Sequence, residues 1–330
     1  MSKAIALIDG NNFYASCEQV INPSLDGKPI VVLSNNDGCI ISRNSEARKL
    51  KISMGEAYFK ISHKLERLGV KVFSSNYALY GDMSQRLMTL LAGNCEELEV
   101  YSIDEAFVKI TRPKEYQLTS WSHNLRSLIY QNLGLPIAIG IGKNKVQAKI
   151  ANHLAKTLKE NAGIFDLGIE ANQDKWLNTI SIENVWGVGH QIAHWCRMKG
   201  IKTALQFRDM PHNELKEKYG VVGLRLQKEL QGENCLYFKT TPLAKKETCV
   251  SRSIKNPITQ KKELDEAISR HVIRACEKLR DQNQLTSKIT IFTRTSIYSN
   301  NFYTKTATKI LENPSNDTFI ILKVSLSLTE

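Results

Sequence analysis

The stretch Leu98-Glu-Val-Tyr-Ser-Ile-Asp-Glu-Ala-Phe-Val-Lys-Ile110 decides the fold class of this chain. Its two halves, Leu98–Ser102 and Ala106–Ile110, are rich in apolar and aromatic residues and indicate two strands. Asp104 and Glu105 lie between them, where the first strand ends and the second begins. We therefore expect two carboxylates at one edge of a sheet.

A second acid follows the same pattern at the start of the chain. Residues 3–8 form an apolar run that ends at Asp9 and indicates a buried strand. A further run, Ile137–Ile141, indicates another strand, and helical patterns cover residues 120–132 and 146–158. Strands and helices thus alternate. We predict an α+β fold with a mostly antiparallel sheet.

Shorter elements fill the rest of the chain. Upstream, we predict a turn at Asn35–Gly38, strands over 29–33 and 39–42, and helices over 11–19, 45–50 and 83–91. From about residue 165 short helices with Gly-marked turns follow, and residues 236–247 lack periodicity and are predicted to be a linker. The last part is predicted to be a second α+β domain, with strands over 248–254, 286–295 and 302–310, a helix over 262–284 and a final helix from Thr318.

Composition and charge limit the classes of function. The chain has 330 residues, of which 42% are apolar, and this suits two folded domains. Its 45 basic and 33 acidic residues give a net charge of +12, and residues 236–330 hold 16 Lys and Arg against 9 Asp and Glu. The excess favours a polyanionic partner, although a solubilising surface would show it as well.

The cysteines and the apolar segments indicate a cytoplasmic protein. None of the seven cysteines lies at CxxC spacing, so neither a zinc site nor a disulfide framework is expected. No stretch reaches the roughly 18 apolar residues that a membrane span needs. The N-terminal apolar run is also too short for a signal peptide.

Asp9, Asp104 and Glu105 form the strongest candidate for a catalytic site. Carboxylates at strand ends that converge on one edge would repel each other unless a divalent cation neutralised them, and oxygen ligands beside phosphates suit Mg²⁺. Each acid also has an ordinary explanation. Asp9 could cap the helix that begins near Asn11, and the Asp104-Glu105 pair could be a solvated turn.

Two basic segments could hold a triphosphate. Residues 42–49, Ser-Arg-Asn-Ser-Glu-Ala-Arg-Lys, lead from a strand into a helix and offer a hydroxyl, backbone N–H groups and cations. Lys145, Lys149 and Lys156 are spaced four and seven residues apart, which predicts one helix face. A solvated basic face would explain either segment equally well.

Two further segments could contact nucleic acid. Trp186-Gly-Val-Gly189, a short helix and Lys199-Gly-Ile-Lys202 resemble a helix-hairpin-helix, whose backbone N–H groups would approach a DNA phosphate. A plain Gly turn between packed helices is the alternative. In the last domain, Ser251-Arg-Ser253 on a strand and the alternating Lys288, Thr290, Phe292 and Arg294 could present a basic sheet face, or an ordinary amphipathic sheet.

Four motifs stand in order along the chain and carry a family resemblance. They are Asp9-Gly-Asn-Asn-Phe-Tyr14, Asn35-Asn-Asp-Gly-Cys-Ile-Ile-Ser-Arg-Asn-Ser-Glu-Ala-Arg48, Tyr101-Ser-Ile-Asp-Glu-Ala-Phe107 and Gly140-Ile-Gly-Lys-Asn-Lys-Val-Gln-Ala-Lys-Ile-Ala151. In these motifs the chain resembles Y-family DNA polymerases over nearly its whole length. The Asn-Asn-Asp-Gly-Cys stretch is more similar to the UmuC-like branch, the catalytic subunit of bacterial DNA polymerase V, than to the polymerase IV branch.

The resemblance implies an error-prone translesion DNA polymerase that acts in DNA repair and SOS mutagenesis. It would add dNTPs to a primer opposite damaged template, with Asp9, Asp104 and Glu105 binding two Mg²⁺ ions for which Mn²⁺ can substitute. Tyr14 would be the steric gate, whose ring clashes with a 2′-hydroxyl. The residues implied in nucleotide binding are Phe13, Ser42, Arg48, Lys149 and Lys156.

The resemblance also implies the architecture of a polymerase shaped like a right hand. Its parts would be a ferredoxin-like palm (1–33 and 81–165), small fingers (34–80), a helical thumb (166–235), the linker (236–247) and a little finger (248–330) that is incomplete at its C-terminus. Small fingers close weakly over the nascent base pair, which implies lesion tolerance. The DNA contacts implied in thumb and little finger are Gly187, Gly189, Lys202, Ser251, Arg252, Ser253 and Arg294.

Partners follow from the same resemblance. Primer-template DNA, dNTPs, a UmuD-like dimer and a RecA filament are implied, whereas clamp binding is not expected because the sequence shows no clamp-binding tail before Glu330. Two other interpretations remain. One is a truncated, catalytically weakened DNA-binding or regulatory form of the same family, and the other is a nucleotidyl cyclase with a similar palm.

Overall fold

The computed structural model describes residues 2–112, 115–158, 163–169, 171–240, 244–254, 257–295 and 302–329. The chain divides into two compact units, Met1–Pro242 and Leu243–Glu330. The division falls within the predicted linker 236–247, of which residues 241–243 lie outside the described residues. Each unit has a hydrophobic core of its own.

A five-stranded sheet forms the centre of the first unit. Its strands, in spatial order, are β5 (Glu97–Val100), β6 (Glu105–Arg112), β1 (Ser2–Gly10), β7 (Ile137–Gly142) and β8 (Ile164–Asp166). Neighbouring strands are antiparallel except for β7 and β8, which are parallel. The predicted α+β class and mostly antiparallel sheet are therefore confirmed.

Helices cover both faces of this sheet. The helices of the first unit are α1 (Phe13–Ile21), α2 (Ser45–Lys49), α3 (Tyr58–Arg67), α4 (Tyr77–Asn94), α5 (Glu115–Leu133), α6 (Lys145–Thr157), α7 (Gln173–Thr179), α8 (His190–Met198), α9 (Ala204–Asp209) and α10 (His212–Leu230). Because side chains alternate along a strand, Ala6 and Ile8 of β1 pack with α1, α4 and α5, whereas Leu7 packs with Ala148 of α6. Because both faces are covered, residues 4–8 of β1 are all apolar.

A second, three-stranded sheet lies between α1 and α4 in the sequence. It consists of β3 (Ile40–Arg43), β2 (Ile30–Leu33) and β4 (Lys71–Ser74), with β2 in the middle, and it has its own small core with α2 and α3. The predicted turn at residues 35–38 contains a 3₁₀ turn, Asn35–Asp37. Helix α3 and strand β4 were not predicted from the sequence.

The second unit is smaller than the first. It contains α11 (Lys261–Asp281), the antiparallel pair β9 (Thr286–Arg294) and β10 (Thr304–Ser315), and α12 (Thr318–Ser327). The predicted strand over 248–254 is wrong: these residues are described, and they form no strand. Ser251, Arg252 and Ser253 are exposed there, and none of the described strands pairs with the segment.

The described helices also bear on membrane insertion. Among them, none combines the length and the apolar character that a membrane span requires.

The contact between α6 and β7 depends on a glycine. A Cβ atom at Gly140 would lie 2.0 Å from the backbone nitrogen of Asn152 and 2.5 Å from the carbonyl oxygen of Ala148. The helix backbone therefore rests directly on the strand, which no residue with a side chain allows. Asn152 closes the contact, because its amide donates to the carbonyl oxygen of Ala138 at 3.0 Å.

We expect Gly140→Ala to destabilise the first unit by about 1–3 kcal/mol or more, since two backbone segments must separate. The measurement is the free energy of unfolding by urea titration. The control is Gly81→Ala, at an exposed position in α4 with no atom near the added Cβ. The control should gain about 0.5–1 kcal/mol from helix propensity. Equal stabilities of the two variants would contradict the close contact.

Candidate active site

Two carboxylates face each other across the centre of the five-stranded sheet. The register of β1 and β6 pairs Asp9 with Glu105, and the backbone nitrogen of Gly10 donates to the carbonyl oxygen of Asp104 at 2.8 Å. Asp9 is only 6% exposed. The three acids predicted to act together are therefore neighbours, and the convergence of strand ends brings them there.

Burial and neighbouring groups shift the pKa values of the two acids in opposite directions. Burial raises the pKa of Asp9 to about 7, against the lowering effect of Lys156. Burial would also raise the pKa of Glu105, but hydrogen bonds from Asp9 and Lys149 outweigh it and lower that pKa. Asp9 therefore binds a proton more tightly than Glu105 does.

Two lysines of α6 supply positive charge to the pair. The Nζ atom of Lys156 lies 2.5 Å from Asp9, and that of Lys149 lies 2.7 Å from Glu105. The solvated-stripe interpretation of these two lysines is therefore wrong. Both lie within reach of anything that binds the carboxylates.

The third lysine of the predicted face has a different role. Lys145 is buried, and its Nζ atom lies 2.6 and 2.8 Å from the two carboxylate oxygens of Glu99 and 2.7 Å from the carbonyl oxygen of Tyr237. The expectation that Lys145 shares a phosphate-binding face with Lys149 and Lys156 is corrected, because a buried acid on β5 already satisfies its charge.

The ordinary explanations fail for Asp9 and for Glu105. The N-cap position of α1 is Asn12, in a left-handed conformation with φ 50°, whereas Asp9 lies inside β1. Glu105 is the first residue of β6, and its side chain is 17% exposed, so it does not belong to a solvated turn.

Asp104 differs from the other two acids in its side-chain contacts. Its carboxylate accepts a hydrogen bond of 2.6 Å from the hydroxyl of Ser102. Within the described part of the chain, no three His, Cys, Asp or Glu side chains are grouped closely enough to hold a metal ion. Carboxylate oxygens are nevertheless the donors that a hard cation prefers, and lysines supply the positive charge beside Asp9 and Glu105 in this structure.

The turn from β1 into α1 lies beside the acids. Ser42, in β3, accepts a hydrogen bond from the backbone nitrogen of Ala15 and donates to the carbonyl oxygen of Asn12, each at 3.2 Å. The exposed Arg48 donates to the side-chain oxygen of Asn12 at 3.1 Å. The second sheet thus fixes the first turn of α1, and Asn12 is a site residue that sequence reasoning missed. The clue in the sequence is the residue type, because Asn adopts the left-handed conformation of Asn12 more readily than most residues do.

The two aromatic residues that begin α1 point to different environments. Phe13 is 3% exposed and belongs to the core. Tyr14 is half-buried, and burial, followed by Tyr77 and Asp104, raises its pKa.

The predicted hairpin is present before α8. Gly187 has a φ of 91°, and Gly189 is the N-cap of α8 with open space around its Cα. Lys202 is exposed beyond the turn at Gly200. The ring nitrogen of Trp186 donates to the hydroxyl of Tyr101, in the same motif as Asp104, at 3.0 Å.

The strand β9 of the second unit has the predicted alternation. Ile289 and Ile291 face the core, while the other side is exposed along the strand, at Lys288, Thr290, Phe292 and Arg294. Arg252 does not lie on a strand that pairs with β9. Its guanidinium donates to the carbonyl oxygen of Ser251. DNA contacts by these residues stay a prediction.

Comparison with known proteins identifies the family. The impB/mucB/samB family model matches residues 8–153, and the C-terminal domain model of that family matches residues 245–330. The chain belongs to the impB/mucB/samB family. The predicted UmuC-like membership is thereby confirmed, and both units of the chain are included in the match.

Individual relatives agree with this assignment. The protein UmuC of Salmonella typhimurium is 40% identical over 325 residues, which cover 97% of this chain and 77% of UmuC. A DNA polymerase IV of Sulfurisphaera tokodaii is 28% identical over 66% of this chain and 62% of that protein. A solved chimera of the Y-family DNA polymerases Dbh and Dpo4 has the same fold, with a TM-score of 0.81 and 22% identity over 99% of this chain and 92% of the chimera.

The raised pKa of Asp9 leads to a stability prediction for the metal-free protein. Below about pH 4 both the folded and the unfolded chain hold the Asp9 proton. As pH rises towards 7 the unfolded chain loses it first, so folded stability falls. We expect Asp9→Asn to be more stable than the parent at pH 8, on the order of 1 kcal/mol, with a smaller difference at pH 5.

The measurement is urea unfolding in EDTA at both pH values. Asp82→Asn is the matched control, because Asp82 is an exposed acid paired with Arg86 one helical turn away. It should change stability little at either pH. An Asp9→Asn protein less stable than the parent at pH 8 would refute the raised pKa of Asp9.

Proposed function

We propose that this chain is a DNA-directed DNA polymerase of the error-prone, translesion kind. It extends a primer with dNTPs opposite damaged template. The observation that carries the proposal is the Asp9–Glu105 pair, buried across adjacent strands and held between Lys149 and Lys156. Membership of the impB/mucB/samB family supports it, since relatives in the comparison include UmuC and a DNA polymerase IV.

Asp9, Asp104 and Glu105 would hold the two Mg²⁺ ions of this reaction, with Mn²⁺ as a substitute. When bound, such ions neutralise phosphate charge and favour the ionised primer 3′-hydroxyl. For the protein, this requires the Asp9 proton to leave and the Asp104 side chain to exchange Ser102 for a new partner. Lys156, a third exposed, would then turn from Asp9 to the triphosphate.

Other residues of the first unit would position the nucleotide. Arg48 is exposed and held by Asn12, so its guanidinium could bind phosphate oxygens without a search over many rotamers. Lys149 would remain with Glu105 and orient it. Ser42 acts through the turn that it fixes, because the backbone of Asn12 and Ala15 already occupies its hydroxyl. Tyr14 would exclude ribonucleotides, and Phe13 would support it from the core.

The proposed division of labour along the chain follows the family architecture. The palm would comprise residues 1–33 and 81–165, the fingers 34–80, the thumb 166–235 and the little finger 248–330. Gly187, Gly189 and Lys202 would contact the DNA backbone from the thumb. Arg294 would do so from the exposed face of β9, with Ser251, Arg252 and Ser253 contributing from an extended segment rather than a strand.

Accessory partners are a separate part of the proposal. Primer-template DNA and dNTPs are the substrates, and a UmuD-like dimer and a RecA filament would control access to damaged sites. The purified chain should therefore add single nucleotides by itself, and the accessory partners should raise the length of the products.

The direct experiment is single-nucleotide primer extension with Mg²⁺ on undamaged and abasic templates. We expect extension on both templates by the parent chain, and a loss of at least about a hundredfold for Asp104→Ala, as is usual when a charge-stabilising group is removed. Asp82→Ala, on the exposed face of α4, is the matched control and should extend normally.

The outcomes separate the remaining interpretations. Extension that persists in Asp104→Ala would refute the catalytic assignment. Binding of primer-template without extension would favour a regulatory, catalytically weakened form. Conversion of ATP or GTP to a cyclic nucleotide without DNA would favour a cyclase.

A further inference from the structure

A cluster of three tyrosines stands at the junction of α1 and α4. Tyr14 lies in the first turn of α1, and Tyr77 and Tyr80 lie in the first turn of α4, directly after the three-stranded sheet. The rings of Tyr14 and Tyr80 are stacked, with centroids 4.4 Å apart and planes at 18°. Tyr77 meets both rings edge-on, at 6.0 and 6.1 Å.

Tyr80 is the fixed member of this cluster. It is fully buried, and its hydroxyl donates a 2.7 Å hydrogen bond to the carboxylate of Glu18, which is 6% exposed. Burial and this bond raise the pKa of Tyr80, so the hydroxyl stays protonated as the donor. Tyr77, by contrast, is 45% exposed.

Tyr14 and Glu18 are one helical turn apart on the same face of α1. Tyr80 therefore holds this face at two points, with its ring on Tyr14 and its hydroxyl on Glu18. A buried polar contact of this kind has few alternative geometries, because breaking it leaves a carboxylate without its donor in a dry environment. The Tyr14 ring thus stacks on the ring of Tyr80, which is itself bonded to α1 at Glu18.

We propose that Tyr80, anchored by Glu18, is a positioning residue for sugar discrimination and sets the ring of Tyr14 in the plane that excludes a 2′-hydroxyl. The inference rests on the proposed polymerase function and on Tyr14 as the steric gate. Tyr80 does not touch the nucleotide, and it acts through the stacked ring. A gate that excludes one oxygen atom must hold its ring within a fraction of an ångström.

The experiment measures the ratio of kcat/KM for dNTP over the matching rNTP in single-nucleotide primer extension. Tyr14→Ala serves as the reference for a lost gate. We expect Tyr80→Leu, which removes the stacked ring, to lower the ratio about tenfold. Tyr80→Phe, which keeps the ring and removes the anchor, should lie between the parent and Tyr80→Leu, at about a threefold loss.

Leu87→Ala is the matched structural control. Leu87 is fully buried two turns further along the same face of α4, so its truncation also loosens the packing of this helix. It should lower the melting temperature while the dNTP/rNTP ratio stays within about twofold of the parent. A loss of discrimination in Leu87→Ala equal to that in Tyr80→Leu would overturn the proposal, because general loosening would explain both.

A double-variant cycle decides whether Tyr80 acts through Tyr14. If it does, Tyr80→Leu has no further effect on the ratio in a Tyr14→Ala background, whereas independent roles give additive effects and overturn the inference. If Tyr80→Leu does not fold, the same cycle with Tyr80→Phe gives the answer.

The failures of the two proposals are distinguishable. No extension by the parent chain refutes the polymerase, and an unchanged ratio in Tyr14→Ala refutes the gate. A reduced ratio in Tyr14→Ala together with parental ratios in Tyr80→Leu and Tyr80→Phe overturns only the role of Tyr80.

Discussion

Carboxylates that face each other across adjacent strands repel unless a proton or a cation lies with them. The register of β1 and β6 holds Asp9 and Glu105 in that position, and burial strengthens every charge effect between them. The raised pKa of Asp9 favours a proton on one carboxylate, and Lys149 and Lys156 supply positive charge to the pair. Buried acids with a strongly shifted pKa are typical of sites that bind a charged group.

The rest of the first unit places cations and a ring around this pair. The glycine contact at Gly140 lets α6 lie against β7, and the helix then carries Lys149 and Lys156 to the two acids. The three-stranded sheet fixes the start of α1 through Ser42, whose hydroxyl bonds to the backbone of Asn12 and Ala15 on either side of Tyr14. Helix α4 supports the same turn through Tyr80. Packing and electrostatics are therefore parts of one arrangement.

Sequence patterns predicted the structure correctly where the order of residues along a single strand determines it. Apolar strands that end in acids predicted the neighbourhood of Asp9 and Glu105, because strand ends meet at one edge of a sheet. They failed where a residue distant in the sequence determines which contact a side chain makes. Helical spacing grouped Lys145 with Lys149, but Glu99 on another strand captures Lys145, and no local pattern shows which acid a lysine will meet.

The same limit explains the errors in secondary structure. Residues 248–254 were predicted to be a strand, yet a strand needs a neighbour to satisfy its backbone, and none of the described strands pairs with them. Helix α3 and strand β4 were missed because their burial depends on β2, with which β4 pairs in parallel. Tyr80 could not be recognised from the sequence, since its meaning lies in its contact with Tyr14 and Glu18, about 60 residues away.

We propose the Asp9–Glu105 pair as a cation site. Binding of a cation there is tested by the melting temperature of the DNA-free protein at pH 8 with and without millimolar Mg²⁺, for the parent, Asp9→Asn and the surface control Asp82→Asn. A ligand that binds the folded chain must raise its stability. We predict that Mg²⁺ raises the melting temperature of the parent and of Asp82→Asn but not that of Asp9→Asn. Equal shifts in all three proteins would contradict the account.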